Sequence, residues 1–498
     1  MKFQISLLCV LMSFFIQAQE RHPRLLAAIE EIREFTAIPN DASNLSDIDD
    51  NIIWLKKRFA KRGFSTMVLK TSNAPLFFAN TRIRDDRPTV LFYMHFDGQP
   101  VDAKAWNQPN PYQVVLKQPR EGNFDEVSWE ELEKEKISMD LRLFGRSVSD
   151  DKGPIIMFLN AYDELLASGR EPAFNIKVIL DGEEEKSSKP LPEAVRQYRE
   201  LLQADMLIIN DGPVHASGKP TIVFGCRGIT SLQLTSYGPI APQHSGHYGN
   251  YAPNPAFTMA HLLSSLKKED GSVLVEGFYE GIELDEPLTQ ILAEVPDDQE
   301  GIRKNLAIHS AQKPGNNYQE SLQFPSLNVR GLSSGWTGSQ TRTIIPDRAV
   351  AEIDIRLVPE TPGARQKSLI REYLTAQGYH LVDDEPGKDI RTNYDKVIRF
   401  EEGSVTDAFR TDMNHPYASW LQQVLQTTFE EEPVRIRIMG GTVPIAPFIN
   451  ALEVPAFIVP LVNPDNNQHS PDENITLEQI NYGLRFYEGL FSSSLTGI

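Results

Sequence analysis

The sequence predicts an α/β protein with a central mixed sheet flanked by helices, interrupted by an inserted α+β domain. Short apolar runs such as residues 89–94 and 176–180 alternate with helical patterns in the first half of the chain, which is typical of an α/β sheet. After Asp211 longer alternating strands follow, of which residues 349–357 are the clearest; such strands indicate a one-sided sheet. From Tyr417 the helix–strand pattern returns. Because 498 residues exceed one ordinary core, we expect two domains.

Residues 1–18 have the pattern of a secretory signal peptide. Lys2 supplies a positive charge, residues 5–16 are apolar, and Ala18 is a small residue suited to cleavage. The apolar run is too short for a membrane-spanning helix. We therefore expect an exported protein, periplasmic or secreted, without a membrane span. Once the signal is removed, Cys226 is the one remaining cysteine, so no internal disulfide is expected.

The larger domain is predicted to comprise residues 19–223 and 407–498. Its helices are predicted from their periodicity at residues 24–36, 48–62 and 154–166. Its strands are predicted at residues 65–69, 76–79, 89–94, 176–180, 205–209 and 456–462. The Glu/Lys-rich segment 117–137 predicts a surface insertion with a short helix, and no function is assigned to it.

The inserted domain is predicted at residues 224–406. Residues 229–236 and 349–357 carry apolar side chains at alternate positions, as expected for strands with one buried face. Further elements are predicted as helices at residues 255–267 and 365–377 and a strand near residues 397–400. This order of strands and helices predicts a small α+β domain.

The formal net charge of the chain is −19. Nucleic acids and anionic membranes carry negative charge themselves, so neither is an expected partner. The content of hydrophobic residues is 40% and that of charged residues is 23%, as in soluble globular proteins.

Residues that can bind transition metals follow four predicted strands of the larger domain, and a further one, Asp150, lies in a turn before the helix predicted at residues 154–166. In chain order they are His95, Asp97, Asp150, Glu184, Glu185, Asp211 and His469. Because sites in an α/β sheet gather at the carboxyl ends of its strands, we expect these side chains to lie close together. Imidazole and carboxylate suit zinc, and a carboxylate can bridge two ions. The acidic run 183–185 alone would indicate a solvated loop, but its coincidence with the other ligands favours a metal site.

Eight motifs occur in one order from about His95 to His469, and they cover most of the chain. They are HFDGQP, GRSVSDDKGP, DGEEEKSS, IINDGP, APQHSGHYGN, EIDIRLVP, GGTVPIA and QHSPDENI. In residues and order they resemble the di-zinc metallopeptidases of the aminoacylase, carnosinase and glutamate carboxypeptidase family, in particular the carnosinase-like dipeptidase branch. The resemblance implies a catalytic domain and an inserted lid through which the chain forms a homodimer.

The resemblance also implies the metal ligands. Asp150 would bridge two zinc ions, or manganese or cobalt in their place. His95 and Asp211 would complete the site of one ion, and Glu185 and His469 that of the other. A cis peptide bond is implied after Asp150.

Catalysis and substrate binding are implied for further residues. Glu184 would be the general base, and Asp97 would orient His95. In the lid, His244 would stabilise the oxyanion, in this family commonly from the neighbouring subunit. The residues implied in binding the carboxylate of the substrate are Arg356, Gly441 and Thr442.

The sequence departs from the usual residues of the family at a few positions. Ser147 stands where Gly is common, and Asp181 stands where Glu is common. Lys186 and Ser187 replace the smaller residues that commonly follow the glutamate pair. None of these departures removes a ligand.

The roles together predict an exported, zinc-dependent peptidase that cleaves dipeptides or short peptides with a metal-activated water. An N-acyl-amino-acid amidase or deacylase would use the same metal core, and the sequence leaves these two open. A non-catalytic binding protein of the cell envelope is disfavoured, because it has no use for a base such as Glu184 beside the metals.

Overall fold

The computed structural model describes residues 23–443 and 445–495. The described residues form two compact units, the first within Met1–Gly218, Trp420–Glu431 and Val459–Ile498 and the second within Lys219–Ser419 and Glu432–Ile458. The predicted insertion, residues 224–406, lies within the second unit, which also includes the later segment Glu432–Ile458. The predicted signal peptide, residues 1–18, lies outside the described residues.

The first unit contains a mixed sheet that positions the candidate site. Its strands lie in the order Ser65–Leu69, Leu76–Asn80, Asn175–Asp181, Thr89–His95 and Met206–Ile209. The first two pairings are antiparallel and the last two are parallel. The parallel strands are buried almost throughout, as expected for apolar runs covered on both faces.

Helices flank this sheet in the first unit. They are Pro23–Thr36, Leu45–Lys61, Lys152–Ala167, Leu191–Gln197, Arg199–Leu202 and Leu477–Ser492. Helix Pro416–Phe429 contains the boundary between Ser419 and Trp420. Phe158 packs edge-to-face against Tyr487 and Phe491, with ring centroids 5.3 Å apart in both pairs. These aromatic contacts hold the C-terminal helix on helix Lys152–Ala167.

The segment 117–137 differs from its prediction. Val115–Arg120 and Asn123–Glu126 form an antiparallel hairpin, and the predicted helix is present only as the 3-10 helix Trp129–Glu133. The hairpin belongs to a four-stranded sheet with Arg142–Phe144 and Asn474–Thr476. Charged residues in this hairpin interrupt the apolar alternation that would indicate strands. Lys117, for example, packs its ammonium group over the ring of Phe144 at a position where a strand would usually have an apolar residue.

A five-stranded sheet forms the centre of the second unit. Its order is Ser326–Ser334, Arg348–Leu357, Gly228–Tyr237, Val397–Thr406 and His380–Val382. The last pair is parallel and the other pairs are antiparallel. Ile353 and Ile355 are buried in the same core as Leu262 and Ile370 of two covering helices. The α+β character predicted for the insertion is therefore confirmed.

The remaining elements of the second unit are short. Its helices are Ser245–Tyr248, Pro255–Leu266, Glu286–Ala293, Gln299–Asn305, Tyr318–Leu322, Gly363–Ala376, Lys388–Asn393 and Ala446–Leu452. Its other strands are Thr221–Val223, Gly225–Cys226, Gln243–His244, Ile344–Ile345, Phe409–Arg410, Val434–Ile436 and Ala456–Ile458. Across the described ranges, every helix is too short or too polar to traverse a bilayer.

Candidate metal centre

The structure brings together the five residues predicted as metal ligands, all in the first unit. Their ligand atoms form two groups, His95–Asp150–Asp211 and Asp150–Glu185–His469, and within each group the atoms lie within 4.8 Å of one another. His95 Nε2 lies 2.8 Å from Asp150 Oδ1, and His469 Nε2 lies 3.1 Å from Asp150 Oδ2. Asp150 thus turns one oxygen to each group, which is the arrangement that a bridging carboxylate needs.

The carboxyl ends of three parallel strands place most of these residues at one edge of the sheet. His95 ends one strand and lies in register with Asp181, the last residue of the neighbouring strand. Glu184 and Glu185 begin the 3-10 helix that follows this neighbour, and Asp211 follows the third strand. The expected gathering of ligands at the strand ends is therefore present.

Asp150 lies in the turn between strand Arg142–Phe144 and helix Lys152–Ala167. The peptide bond between Asp150 and Asp151 is cis, as the resemblance implied. Ser147 has a φ of +65°, a conformation that glycine adopts at the lowest cost. This backbone conformation gives a physical reason why Gly is common at this position in the family.

Asp97 is fully buried and has two structural roles beside the ligands. Its Oδ1 lies 3.3 Å from His95 Nδ1, so it can orient the imidazole as predicted. The carboxylate also accepts the backbone N–H of Glu184 at 3.0 Å and that of Glu185 at 3.1 Å. The strand ends at His95, so Asp97 makes this contact from the following loop.

The site concentrates carboxyl groups, and the pKa values of Glu184, Glu185 and Asp211 are raised. Burial, together with the charge of Asp150, raises the pKa of Glu185 to about 8 and the pKa of Asp211 to about 6. Burial also raises the pKa of Glu184 well above its usual value, with Asp211 and Glu185 adding to the effect. Because a nearby cation restores the ionised form of such groups, the cluster favours bound positive charge.

The pKa values of the two imidazoles are also raised, which favours their protonated, positively charged form. Burial would lower the pKa of His95, but its contacts with Asp150 and Asp97 outweigh burial and raise the pKa well above its usual value. Contact with Asp150 raises the pKa of His469 to about 9. A proton and a metal ion compete for the same imidazole nitrogen, so metal binding at this site releases protons.

The donor set fits a pair of divalent transition-metal ions. Imidazole nitrogen and carboxylate oxygen are ligands of zinc, and they also suit manganese and cobalt. Asp150 Oδ2 is buried and makes no hydrogen bond with residues of the described ranges, although His469 Nε2 lies 3.1 Å away. One ion would be held by His95, Asp150 and Asp211. The second would be held by Asp150, Glu185 and His469.

The predicted lid residues lie in the second unit, where Arg356 and Thr442 are in contact. Arg356 Nη1 donates a hydrogen bond of 2.7 Å to Thr442 Oγ1, which itself donates to the backbone oxygen of Arg227 at 2.7 Å. Gly441 is exposed at the turn beside them. Arg227 was not predicted; burial and the charge of Arg356 lower its pKa to about 10. The guanidinium group of Arg356 and the backbone of Arg227 therefore both contact Thr442 in the predicted carboxylate-binding turn.

His244 is exposed and stands apart from that cluster in sequence. Its Nδ1 accepts the backbone N–H of Gly246 at 3.0 Å. A neutral imidazole that accepts at Nδ1 carries its proton on Nε2. His244 is thus held as a hydrogen-bond donor, which is the form that an oxyanion needs.

Three buried or half-buried residues around the ligands were missed by the sequence analysis. Glu473 accepts hydrogen bonds from the turn that carries Asp150. Asn40 Nδ2 donates to the backbone oxygen of Phe96 at 2.8 Å, and Gln99 Nε2 donates to Glu185 at 2.7 Å. For Glu473, the one sequence signal is its place in the motif QHSPDENI.

Comparison with known proteins agrees with this geometry. The model of peptidase family M20/M25/M40 matches residues 91–493. The Cys-Gly metallodipeptidase DUG1 of Saccharomyces cerevisiae is 22% identical, over 95% of this chain and 96% of that protein. The Beta-Ala-His dipeptidase of Homo sapiens is 26% identical, over 84% of this chain and 77% of that protein.

A solved structure shows the same fold. The M20 family metallo-carboxypeptidase Sso-CP2 from Sulfolobus solfataricus has a TM-score of 0.74 and 25% identity, over 93% of this chain and 98% of that one. The family model spans most of the chain and includes all five candidate ligands. The chain therefore belongs to the peptidase family M20/M25/M40, as a metallopeptidase of the carnosinase-like branch that its motifs predicted.

Proposed function

We propose that this protein hydrolyses the amide bond of dipeptides or short peptides at a two-metal centre. The observation that carries the proposal is the pair of ligand groups that share Asp150, with Glu184 beside them but in neither group. The names of the relatives, which include metallodipeptidases, support peptides as the substrate class. Export is part of the proposal and rests on the sequence of residues 1–18 alone.

Glu184 is proposed to move the proton in this reaction. A bound pair of divalent ions would polarise the scissile carbonyl and make a water more acidic. Glu185 lies 3.2 Å from His469, with which it shares a ligand group, and accepts a hydrogen bond from Gln99 at 2.7 Å. Glu185 is therefore proposed as the metal ligand of the pair. Bound cations would lower the raised pKa of Glu184, which then accepts a proton from the attacking water and delivers it to the leaving amine.

Recognition of the substrate carboxylate is proposed for Arg356 with Thr442 and the Gly441 turn. A guanidinium group binds a carboxylate through paired, charge-assisted hydrogen bonds. Arg227 adds a second buried positive charge close to Arg356. A binding site of this kind selects peptides with a free C-terminus, which is the property of a dipeptidase or carboxypeptidase.

The test is a substrate panel measured on the protein loaded with zinc, manganese or cobalt. Dipeptides, C-terminally amidated dipeptides and N-acetyl amino acids would be compared by kcat/KM. We expect the free dipeptides to be hydrolysed best. We expect amidation to lower kcat/KM by about 10²-fold or more, because the amide leaves Arg356 without its charged partner. Faster hydrolysis of N-acetyl amino acids would instead identify the protein as a deacylase.

We further propose that the protein is a homodimer through the second unit and that His244 serves the metal centre of its partner. The edge strand Ser326–Ser334 leaves Val329 43% exposed and Leu332 61% exposed. An edge strand with exposed apolar side chains is a surface on which a second copy can pair. His244 Nε2 would donate to the oxyanion of the tetrahedral intermediate.

Complementation tests this arrangement. A His244→Ala chain and a Glu184→Gln chain, each inactive alone, would be co-expressed with different affinity tags and purified as the heterodimer. If His244 acts on the partner, one of the two sites has both native residues, and about half of the wild-type activity returns. An inactive heterodimer would show that His244 acts within its own chain.

A further inference from the structure

Glu473 is a fully buried carboxylate that follows His469 on the same loop. Its five hydrogen-bond donors all come from one turn of the chain far away in sequence. The donors to Oε2 are Arg146 Nη1 at 2.8 Å and Ser147 N at 2.8 Å. The donors to Oε1 are Ser149 N at 3.0 Å, Ser149 Oγ at 2.8 Å and Asp150 N at 2.9 Å. One side chain therefore fixes the backbone on both sides of Ser149 and at Asp150.

Only a carboxylate satisfies these donors. An amide at position 473 would have one acceptor oxygen, and its NH₂ group would face at least two donors in either orientation. The guanidinium group of Arg146 also supplies the charge that makes a buried carboxylate tolerable. Replacement of Glu473 by glutamine therefore breaks the network although the shape of the side chain is kept.

The same network connects the segments that carry two of the ligands. Gly145 N donates to the backbone oxygen of Glu473 at 3.0 Å, and Arg146 Nη2 donates to the backbone oxygen of Ser470 at 3.4 Å. Ser470 is the residue after His469, which is itself 54% exposed. Its Nε2 lies 3.1 Å from Asp150 and 3.2 Å from Glu185, and the network fixes the loop on which His469 lies relative to the turn of Asp150.

We propose that Glu473 is a positioning residue of the metal centre. It holds the Asp150 turn so that each oxygen of that carboxylate faces one ligand group, and it sets the distance between Asp150 and His469. Glu473 acts through these ligands, since it is in neither ligand group itself. This inference rests on the proposed two-metal centre, and the experiment below separates a failure of that centre from a failure of Glu473.

A matched control is available in the first unit. Glu31 is also a buried carboxylate, 8% exposed, and its Oε2 accepts hydrogen bonds from Arg62 Nη2 at 2.9 Å and Asn160 Nδ2 at 2.8 Å. It is absent from both ligand groups. Glu31→Gln therefore removes a buried charge at a comparable cost to the fold without touching the Asp150 turn.

The experiment compares zinc binding and thermal unfolding of the full chain, freed of metal and titrated with zinc chloride. Glu473→Gln should weaken the binding of zinc about 10- to 100-fold, the effect usual for residues that orient metal ligands. Glu31→Gln should bind two equivalents of zinc with the affinity of the wild type, even if its Tm falls as much as that of Glu473→Gln. Glu473→Asp keeps the charge but is too short to reach all five donors, so it should fall between the wild type and Glu473→Gln.

Three results would overturn the inference, two of them for Glu473 and one for the metal centre. Wild-type zinc affinity in both Glu473 variants, with a Tm loss equal to that of Glu31→Gln, would reduce Glu473 to a stabiliser of the fold. If Glu473→Gln does not fold, the zinc affinity of Glu473→Asp is the test of the proposal. An affinity equal to that of the wild type then contradicts the proposal. If the wild type does not bind two equivalents of zinc, the proposed two-metal centre itself is contradicted.

Discussion

Replacing Glu184 by glutamine is expected to lower kcat by about three orders of magnitude, while both metal ions stay bound. Glutamine keeps the size of the side chain but cannot accept a proton. Metal binding should survive because Glu184 belongs to neither ligand group, and the backbone N–H bond from Glu184 to Asp97 at 3.0 Å is kept. The measurement is kcat on the best dipeptide together with metal equivalents per chain.

The neighbouring glutamate provides the control for this prediction. Glu185→Gln should lose metal, because Glu185 lies with Asp150 and His469 in one ligand group. If Glu184→Gln lost metal while Glu185→Gln kept both ions, the roles of base and ligand would have to be exchanged.

Replacing Asp150 by asparagine is expected to abolish activity and to remove both ions. Both ligand groups contain Asp150, and an amide offers only one oxygen and no charge to the pair. Asp151→Asn is the matched control, because Asp151 lies in neither group and its Oδ2 accepts the backbone N–H of His95 at 3.1 Å, which an amide oxygen can also accept. Metal equivalents per chain after dialysis should fall to near zero in Asp150→Asn and stay at two in Asp151→Asn.

The gathering of the candidate ligands at one edge of the sheet could be predicted from the sequence because its signals are local, while the role of each ligand was implied by the resemblance. An apolar run that ends directly at His95, or at the acidic residues after Asp181, shows both a strand and what lies at its carboxyl end. The alternation of residues 349–357 likewise predicts one buried face, and Ile353 and Ile355 are buried there. In these strands the apolar pattern of the sequence matches the burial of the side chains in the structure.

The residues that hold the ligands in place could not be predicted in the same way. Glu473 contacts the Asp150 turn across more than 300 positions of sequence, and Asn40 reaches Ser147 across more than 100. The residues next to Glu473 in sequence give no indication that its carboxylate accepts five hydrogen bonds from residues 146–150. The hairpin within residues 115–126 was missed for another reason, because its charged residues, including the buried Lys117, interrupt the apolar period of two.

Two metal ions that share Asp150 are tested most directly by anomalous diffraction at the zinc absorption edge. In crystals of zinc-loaded protein we expect two peaks roughly 3.5–4 Å apart. One peak should lie among His95, Asp150 and Asp211, and the other among Asp150, Glu185 and His469. A single peak, or two peaks that do not both contact Asp150, would contradict the account.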